Sequence, residues 1–256
     1  MLKKRIIPVQ LLLASGRLVK TLRFDSWRDV GDPVASSRVY NAQLADELVF
    51  LNIDRERRTI DVLLPLLERV SEVCFMPLAL GGGIRSARDA EVLIRHGADK
   101  VIVNSEVYRT PEIVSEIART FGNQAVIVSI DARWDEASLS YVVSSNCGRT
   151  TEPISLRKHV ARAVELGAGE IFINSIDRDG TMTGYDGALI REVVAAAGTV
   201  PVIACGGAGT YEHMRDAFVE TGVNALACGS LFNFGDNNPI RAKAFLSNHG
   251  LSFKVV

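Results

Sequence analysis

The sequence has almost no net charge. Its 29 Lys and Arg stand against 30 Asp and Glu, a formal balance of -1. Nothing in that balance argues for a nucleic-acid groove or for attraction to a membrane surface. Cysteine is sparse: Cys74, Cys147, Cys205 and Cys228 show no metal-ligand spacing, and three of the four lie in apolar strand-like runs. Buried free thiols in a reducing compartment are expected, with no metal centre and no cofactor. No stretch is long and uncharged enough to span a bilayer. The N-terminus, MLKKRIIPVQLLLASG, has a basic start, but Pro8 and Gln10 break its apolar part and no clean cleavage site follows. A buried strand is expected there, not a signal peptide, and a cytoplasmic address. A Ser/Pro-rich linker is also missing from the midpoint. The 256 residues, 47% hydrophobic, are therefore expected to form one domain spanning 1–256.

What is present is a repeat. PLALGGGIRSARDAEVLIRHGADKVIVNS (Pro77 to Ser105) is echoed by PVIACGGAGTYEHMRDAFVETGVNALACGS (Pro201 to Ser230). Pro77, Gly82-Gly83, Gly97 and Ser105 match Pro201, Gly206-Gly207, Gly222 and Ser230 at an offset of about 124 residues, near half the chain. Each copy reads apolar strand, glycine cluster, helix, glycine, strand, small polar residue.

Strands are expected over 5–13, 48–53, the first and last parts of each repeat, 125–131 and 170–175. Residues 18–22 continue extended, and 25–33 are expected as a polar loop. Helices are expected over 34–47, 59–73, 110–121, 154–166, 188–197 and 239–249, besides those within the repeats. An excursion over 133–151 is expected to carry a hairpin with a short strand at 141–143. Eight strand candidates alternate with eight helix candidates. Strands apolar on both faces that alternate with helices imply a parallel sheet. Two equal halves, about 1–123 and 124–256, close into a (βα)8 TIM barrel with an internal two-fold half-barrel repeat.

In such a barrel the C-terminal strand ends carry the chemistry. The glycine clusters fall there, after strands three and seven. Glycines let the backbone approach an oxyanion, and the free N–H groups of the next helix turn point at it. Two symmetric copies predict two phosphate pockets, with Gly82, Gly83, Asn104 and Ser105 in one and Gly180, Gly206, Gly207, Gly229 and Ser230 in the other. A ligand phosphorylated at both ends would fit. Asp131, closing strand five, is a candidate acid or base, because a partly dry mouth raises a carboxyl pKa. Asp179, in a turn beside the second cluster, is a candidate for catalysis or phosphate orientation. At the opposite end Arg5, Glu47, Lys100 and Glu170 each begin a strand. Ordinary solvated strand flanks are the commoner reading of such charges, but charges aimed into a barrel are costly unless paired, so a salt-bridge ring plugging or gating an axial passage is the alternative.

These residues together resemble the cyclase subunit of imidazole glycerol phosphate synthase over essentially the whole chain. The motifs are KRIIP, GDP (Gly31 to Pro33), ADELVFL, GGGIRS, GADKVIVNS, IDA, GAGEI, DRDGT with GYD, PVIACGGAG and FNFGD. The resemblance implies a barrel of the ribulose-phosphate-binding type with two phosphate sites. It also implies a separate glutaminase subunit that docks on the bottom face, forming a heterodimer, and sends ammonia through the barrel. Arg5, Glu47, Lys100 and Glu170 match the family's gate, Asp99 a partner-facing position, and Asp131 the second of two catalytic aspartates. No glutaminase nucleophile elbow occurs, so the partner is another polypeptide.

The first catalytic aspartate should lie within Pro8 to Gly16, which reads PVQLLLASG, one residue longer than the family pattern and without an acid. The acid after strand two is Asn52. PVQLLL and VKTLRF resemble a divergent branch linked to bacterial surface polysaccharide, which is thought to install an acetamidino group on a sugar together with a glutaminase and a third protein. The resemblance thus implies retained ammonia delivery with altered acceptor chemistry. The alternatives are a histidine-pathway cyclase making imidazole glycerol phosphate and AICAR from PRFAR, a catalytically silent conduit, and a sugar-phosphate isomerase.

Overall fold

A computed structural model describes residues 3–254. Its twelve strands are β1 Arg5–Leu12, β2 Leu18–Leu22, β3 Ser26–Gly31, β4 Leu48–Asn52, β5 Leu78–Gly81, β6 Lys100–Val103, β7 Val126–Asp135, β8 Ser140–Ser145, β9 Thr150–Ser155, β10 Glu170–Ser175, β11 Val202–Cys205 and β12 Ala225–Cys228. The helices are α1 Pro33–Ala42, α2 Leu64–Ser71, α3 Ala87–Arg95, α4 Ser105–Arg109, α5 Glu112–Phe121, α6 Leu156–Glu165, α7 Gly187–Ala197, α8 Tyr211–Thr221, α9 Ser230–Asn233 and α10 Pro239–Asn248. Eight strands pair in parallel in the order β1, β4, β5, β6, β7, β10, β11, β12, and β12 pairs back onto β1. The sheet is therefore a closed barrel with helices between its strands, and closure leaves no edge within the ring.

Side chains alternate across each strand. One set fills the barrel: Ile7, Val9, Val49, Ala79, Ile102, Ile127, Phe172, Ile203, Ala225 and Ala227. The other set, including Ile6, Leu48, Phe50, Leu80, Val101 and Val128, packs beneath the helices. These strands are apolar on both faces because both faces are covered. Local chemistry starts the helices. Asp32 caps α1 at Val34 and Ala35 with Pro33 at its first position, Ser86 and Asp89 form a capping box on α3, and Asn238 caps α10 ahead of Pro239.

The structure corrects several expected boundaries. Residues 26–31 are not loop but β3, which pairs antiparallel with β2. The helix expected to reach residue 47 stops at Ala42, and Leu44 turns into the left-handed region at φ 54°. The helix expected from residue 59 is a 3-10 turn over Ile60–Val62 followed by α2, with Pro65 in its first turn. The excursion after strand five holds two strands, β8 and β9, so α6 starts at Leu156 rather than Ile154. Asp131 does not close its strand. β7 continues four residues to Asp135 by pairing with β8, and Asp131 stands where β7 leaves the ring.

Candidate active site at the barrel mouth

The mouth is built from glycines whose backbone no other residue copies easily. Gly82, Gly83, Gly206 and Gly207 have φ of 87°, 96°, 98° and 101°. A Cβ on Gly82 would stand 2.1 Å from the Asn52 carbonyl oxygen, and one on Gly207 2.1 Å from that of Gly184. Conformation and space both require glycine here. The turns open into one cavity of about 680 Å3, lined by both glycine pairs, Asn104, Ser105, Asp131, Asp179, Gly180, Gly229 and Ser230. Every residue expected at the mouth from the sequence meets in that space. Ser105 and Ser230 begin the short helices α4 and α9.

Asp131 is 8% exposed and accepts a hydrogen bond from Asn104 Nδ2 at 2.9 Å. Burial, seconded by the charge of Asp179, pushes its carboxyl up to about 7. An acid poised there can give or take a proton near neutrality. Asn104, expected at a phosphate, thus gives one of its amide N–H groups to the acid. Asn174, paired with Asp131 across β10 and β7, supplies a second amide on that side. Asn174 is not among the residues expected from the sequence, and its inward alternation on β10 is the signal that points to it.

Asp179 is held to the β2–β3 hairpin. Thr21 Oγ1 donates to it at 2.6 Å and the Phe24 backbone N–H at 3.2 Å, while burial raises its pKa. Gly180 lines the cavity, but its close approach is to the same hairpin: a Cβ there would stand 2.2 Å from the Thr21 carbonyl oxygen. Lys20, on β2, is a second mouth residue not among those expected from the sequence. It is buried, donates to the Val9 carbonyl, and burial lowers its ammonium to about 8. It lies beside Gly229, whose added Cβ would meet Nζ at 3.0 Å. On strand one the inward residue nearest the mouth is Leu11, which packs on the barrel interior and lines the cavity.

The four charges at the other end form a closed ring. Arg5 binds Glu47 at 2.9 Å and also Glu170, and Lys100 binds Glu47 at 2.7 Å and Glu170 at 2.6 Å. Each charge touches two of opposite sign, which offsets the cost of their burial. Burial works to raise the Glu170 pKa, but Arg5 and Lys100 outweigh it and hold the carboxyl below its ordinary value. Asp99 is exposed on this face, and its Oδ2 accepts from the Leu78 N–H at 2.8 Å. Asp46 and Asn224 seal Ile6 and Val202 in the same way. Among the described residues no helix is long and apolar enough to cross a membrane.

Comparison with known proteins shows a family for the chain. The histidine biosynthesis protein family matches residues 5–238. The chain is 43% identical over 256 residues to the imidazole glycerol phosphate synthase subunit HisF of Hyphomonas neptunium, covering 100% of both chains. It is 41% identical over 255 residues to the subunit of the same name from Chloroherpeton thalassium, again covering 100% of both. With the Staphylococcus carnosus HisF subunit it shares 38% over 254 residues, 99% of each chain.

Proposed function

Because the chain belongs to the histidine biosynthesis protein family, alongside the HisF subunits of imidazole glycerol phosphate synthase, we propose that it is the ammonia-using synthase subunit of a two-chain glutamine amidotransferase whose acceptor chemistry has changed. A glutaminase subunit docks on the bottom face around the charged ring. Ammonia passes the ring formed by Arg5, Glu47, Lys100 and Glu170 and crosses an interior lined by Ile7, Val49, Ile102 and Phe172. An apolar passage favours neutral ammonia over ammonium, since a bare charge is expensive to desolvate. The acceptor spans the mouth with a phosphate in each glycine cradle, and Asp131 takes or gives the proton.

The observation that carries the altered chemistry is Leu11. An aliphatic side chain faces the cavity on strand one, where the family pattern calls for an acid. One general acid or base contributes about 10²–10⁴-fold, so the histidine-pathway cyclisation is expected to be badly impaired. The acceptor we favour is a sugar of surface polysaccharide that receives an acetamidino group. Expression in a histidine auxotroph lacking the cyclase tests the claim: robust growth would refute it. The identity to HisF subunits along the whole length favours a second reading, a histidine-pathway cyclase that works with Asp131 alone or recruits Asp179. It requires PRFAR and ammonia to give imidazole glycerol phosphate, and Asp131→Asn to abolish that product.

A further inference from the structure

Arg58 is a cation of the mouth that the proposed chemistry leaves unused. It lies in the loop after β4, and the backbone there rests on the first phosphate turn. A Cβ on Gly83 would stand 2.7 Å from the Thr59 nitrogen and 2.8 Å from the Arg58 carbonyl carbon. From that anchor the guanidinium reaches the turn between β8 and β9. Nη2 donates to Asn146 Oδ1 at 3.1 Å and Nη1 to Cys147 Sγ at 2.9 Å. Neither acceptor is a carboxylate. Burial pushes the Cys147 thiol pKa up despite the neighbouring guanidinium, so the sulfur stays neutral and the positive charge is not cancelled there.

The turn that braces Arg58 is itself constrained. Asn146 and Cys147 have φ of 53° and 56°, a region that non-glycine residues adopt only when their surroundings hold them. The Asn146 N–H donates to Ser105 Oγ at 3.0 Å, which fixes the turn to the head of α4. Arg58, Asn146, Cys147, Ser105, Gly83 and Asp131 all line the one cavity. The Arg58 charge also acts on Asp131, working against the rise of its carboxyl. A guanidinium has five N–H donors in a rigid fork. Among the described residues two are taken and three have no protein acceptor, on a side chain that lines the cavity.

We propose that Arg58 is an acceptor-binding residue: its guanidinium, braced by Asn146 and Cys147, takes a negatively charged oxygen of the acceptor that lies between the phosphate in the Gly82-Gly83 cradle and the atoms facing Asp131. The assignment rests on the phosphate-binding mouth proposed above and narrows the acceptor class. The ligand carries a second oxyanion, carboxylate-like, within a few bonds of that phosphate.

The full chain, titrated calorimetrically with inorganic phosphate and with phosphoglycolate, tests this. Phosphoglycolate adds one carboxylate to the phosphate, and a charged hydrogen-bond pair should make it bind about 10-fold tighter. In Arg58→Ala that advantage should vanish, while the inorganic phosphate affinity changes less than about twofold. Arg58→Lys, which keeps the charge and loses the fork, should forfeit most of it, and serves if the alanine variant does not fold. Cys147→Ala should lose about threefold by loosening the brace. Equal affinity for the two probes in the wild type, or an advantage that survives both Arg58 substitutions, overturns the assignment. Wild-type protein that ignores inorganic phosphate but binds phosphoglycolate through Arg58 overturns the two-phosphate mouth and leaves Arg58 supported.

Discussion

Asp131→Asn is expected to stabilise the protein while it inactivates it. The carboxyl is ordinarily at 3.8 and rises to about 7 in the fold, burial being the main cause. Below the unfolded value both states are protonated and the residue costs nothing. As pH rises above it, the unfolded chain ionises and the folded one does not, so stability is lost. The loss stops growing near the folded value. At about 1.36 kcal/mol per unit, the penalty above pH 7 is on the order of 4 kcal/mol. The amide has no such titration, and its carbonyl can still accept from Asn104 Nδ2. Urea unfolding at pH 4, 5.5, 7 and 8.5 measures the difference between variant and wild type. It should be near its minimum at pH 4, widen by several kcal/mol to pH 7, and level off beyond. A difference that stays constant with pH, or a variant that loses stability as pH rises, refutes the reasoning. Turnover should fall by about 10²–10⁴-fold in the same variant.

Lys100→Ala removes the shared partner of Glu47 and Glu170. It should cost about 3–5 kcal/mol in denaturant unfolding and lower glutamine-driven turnover more than turnover on free ammonium salts. Equal loss on both nitrogen sources would contradict the gate. Gly207→Ala forces a Cβ to within 2.1 Å of the Gly184 carbonyl oxygen at φ 101°. At least ~2 kcal/mol of stability should be lost, with inorganic phosphate binding weakened in the same titration. Leu11→Asp restores an acid on strand one. It should raise product formation from PRFAR and ammonia and lift the Asp131 pKa through like charge, read by carboxyl NMR titration. No gain in product would refute the view that the missing acid limits that reaction.

The ring was legible because parallel strands covered on both faces write apolar runs, and Val126 to Ile130 or Glu170 to Ile173 need no partner information to be recognised. The glycine turns were legible because φ near 100° leaves few alternatives to glycine. The hairpin after strand five was legible, but the β2–β3 hairpin was not. β3 (SWRDVG) is exposed or half-buried along its length, so no buried face writes a period into its sequence, and its strand character comes from pairing with β2. The extension of β7 past Asp131 likewise depends on β8 and not on local propensity. In the mouth, Asp131 stood out as an acid in an apolar strand. Lys20 and Arg58 did not, since a cation in a loop or hairpin is usually solvated. What singles them out is the space around them: Lys20 against Val9 and Gly229, and Arg58 against Gly83 and the strained 146–147 turn.

A mouth with two like glycine cradles has a grip but no built-in polarity. A ligand with a phosphate at each end could lie across Asp131 in either sense, and in one of them the wrong carbon would meet the carboxyl. The pseudo-symmetry is broken by the cations beside the cradles. The Arg58 backbone abuts Gly83 while its planar guanidinium reaches the 146–147 turn, and an ammonium of lowered pKa, Lys20, stands by Gly229. On the proposed two-phosphate reading, the duplication would account for holding, and these two unmatched side chains would tell head from tail. A variant with both neutralised should still bind its ligand, and should bind it backwards part of the time.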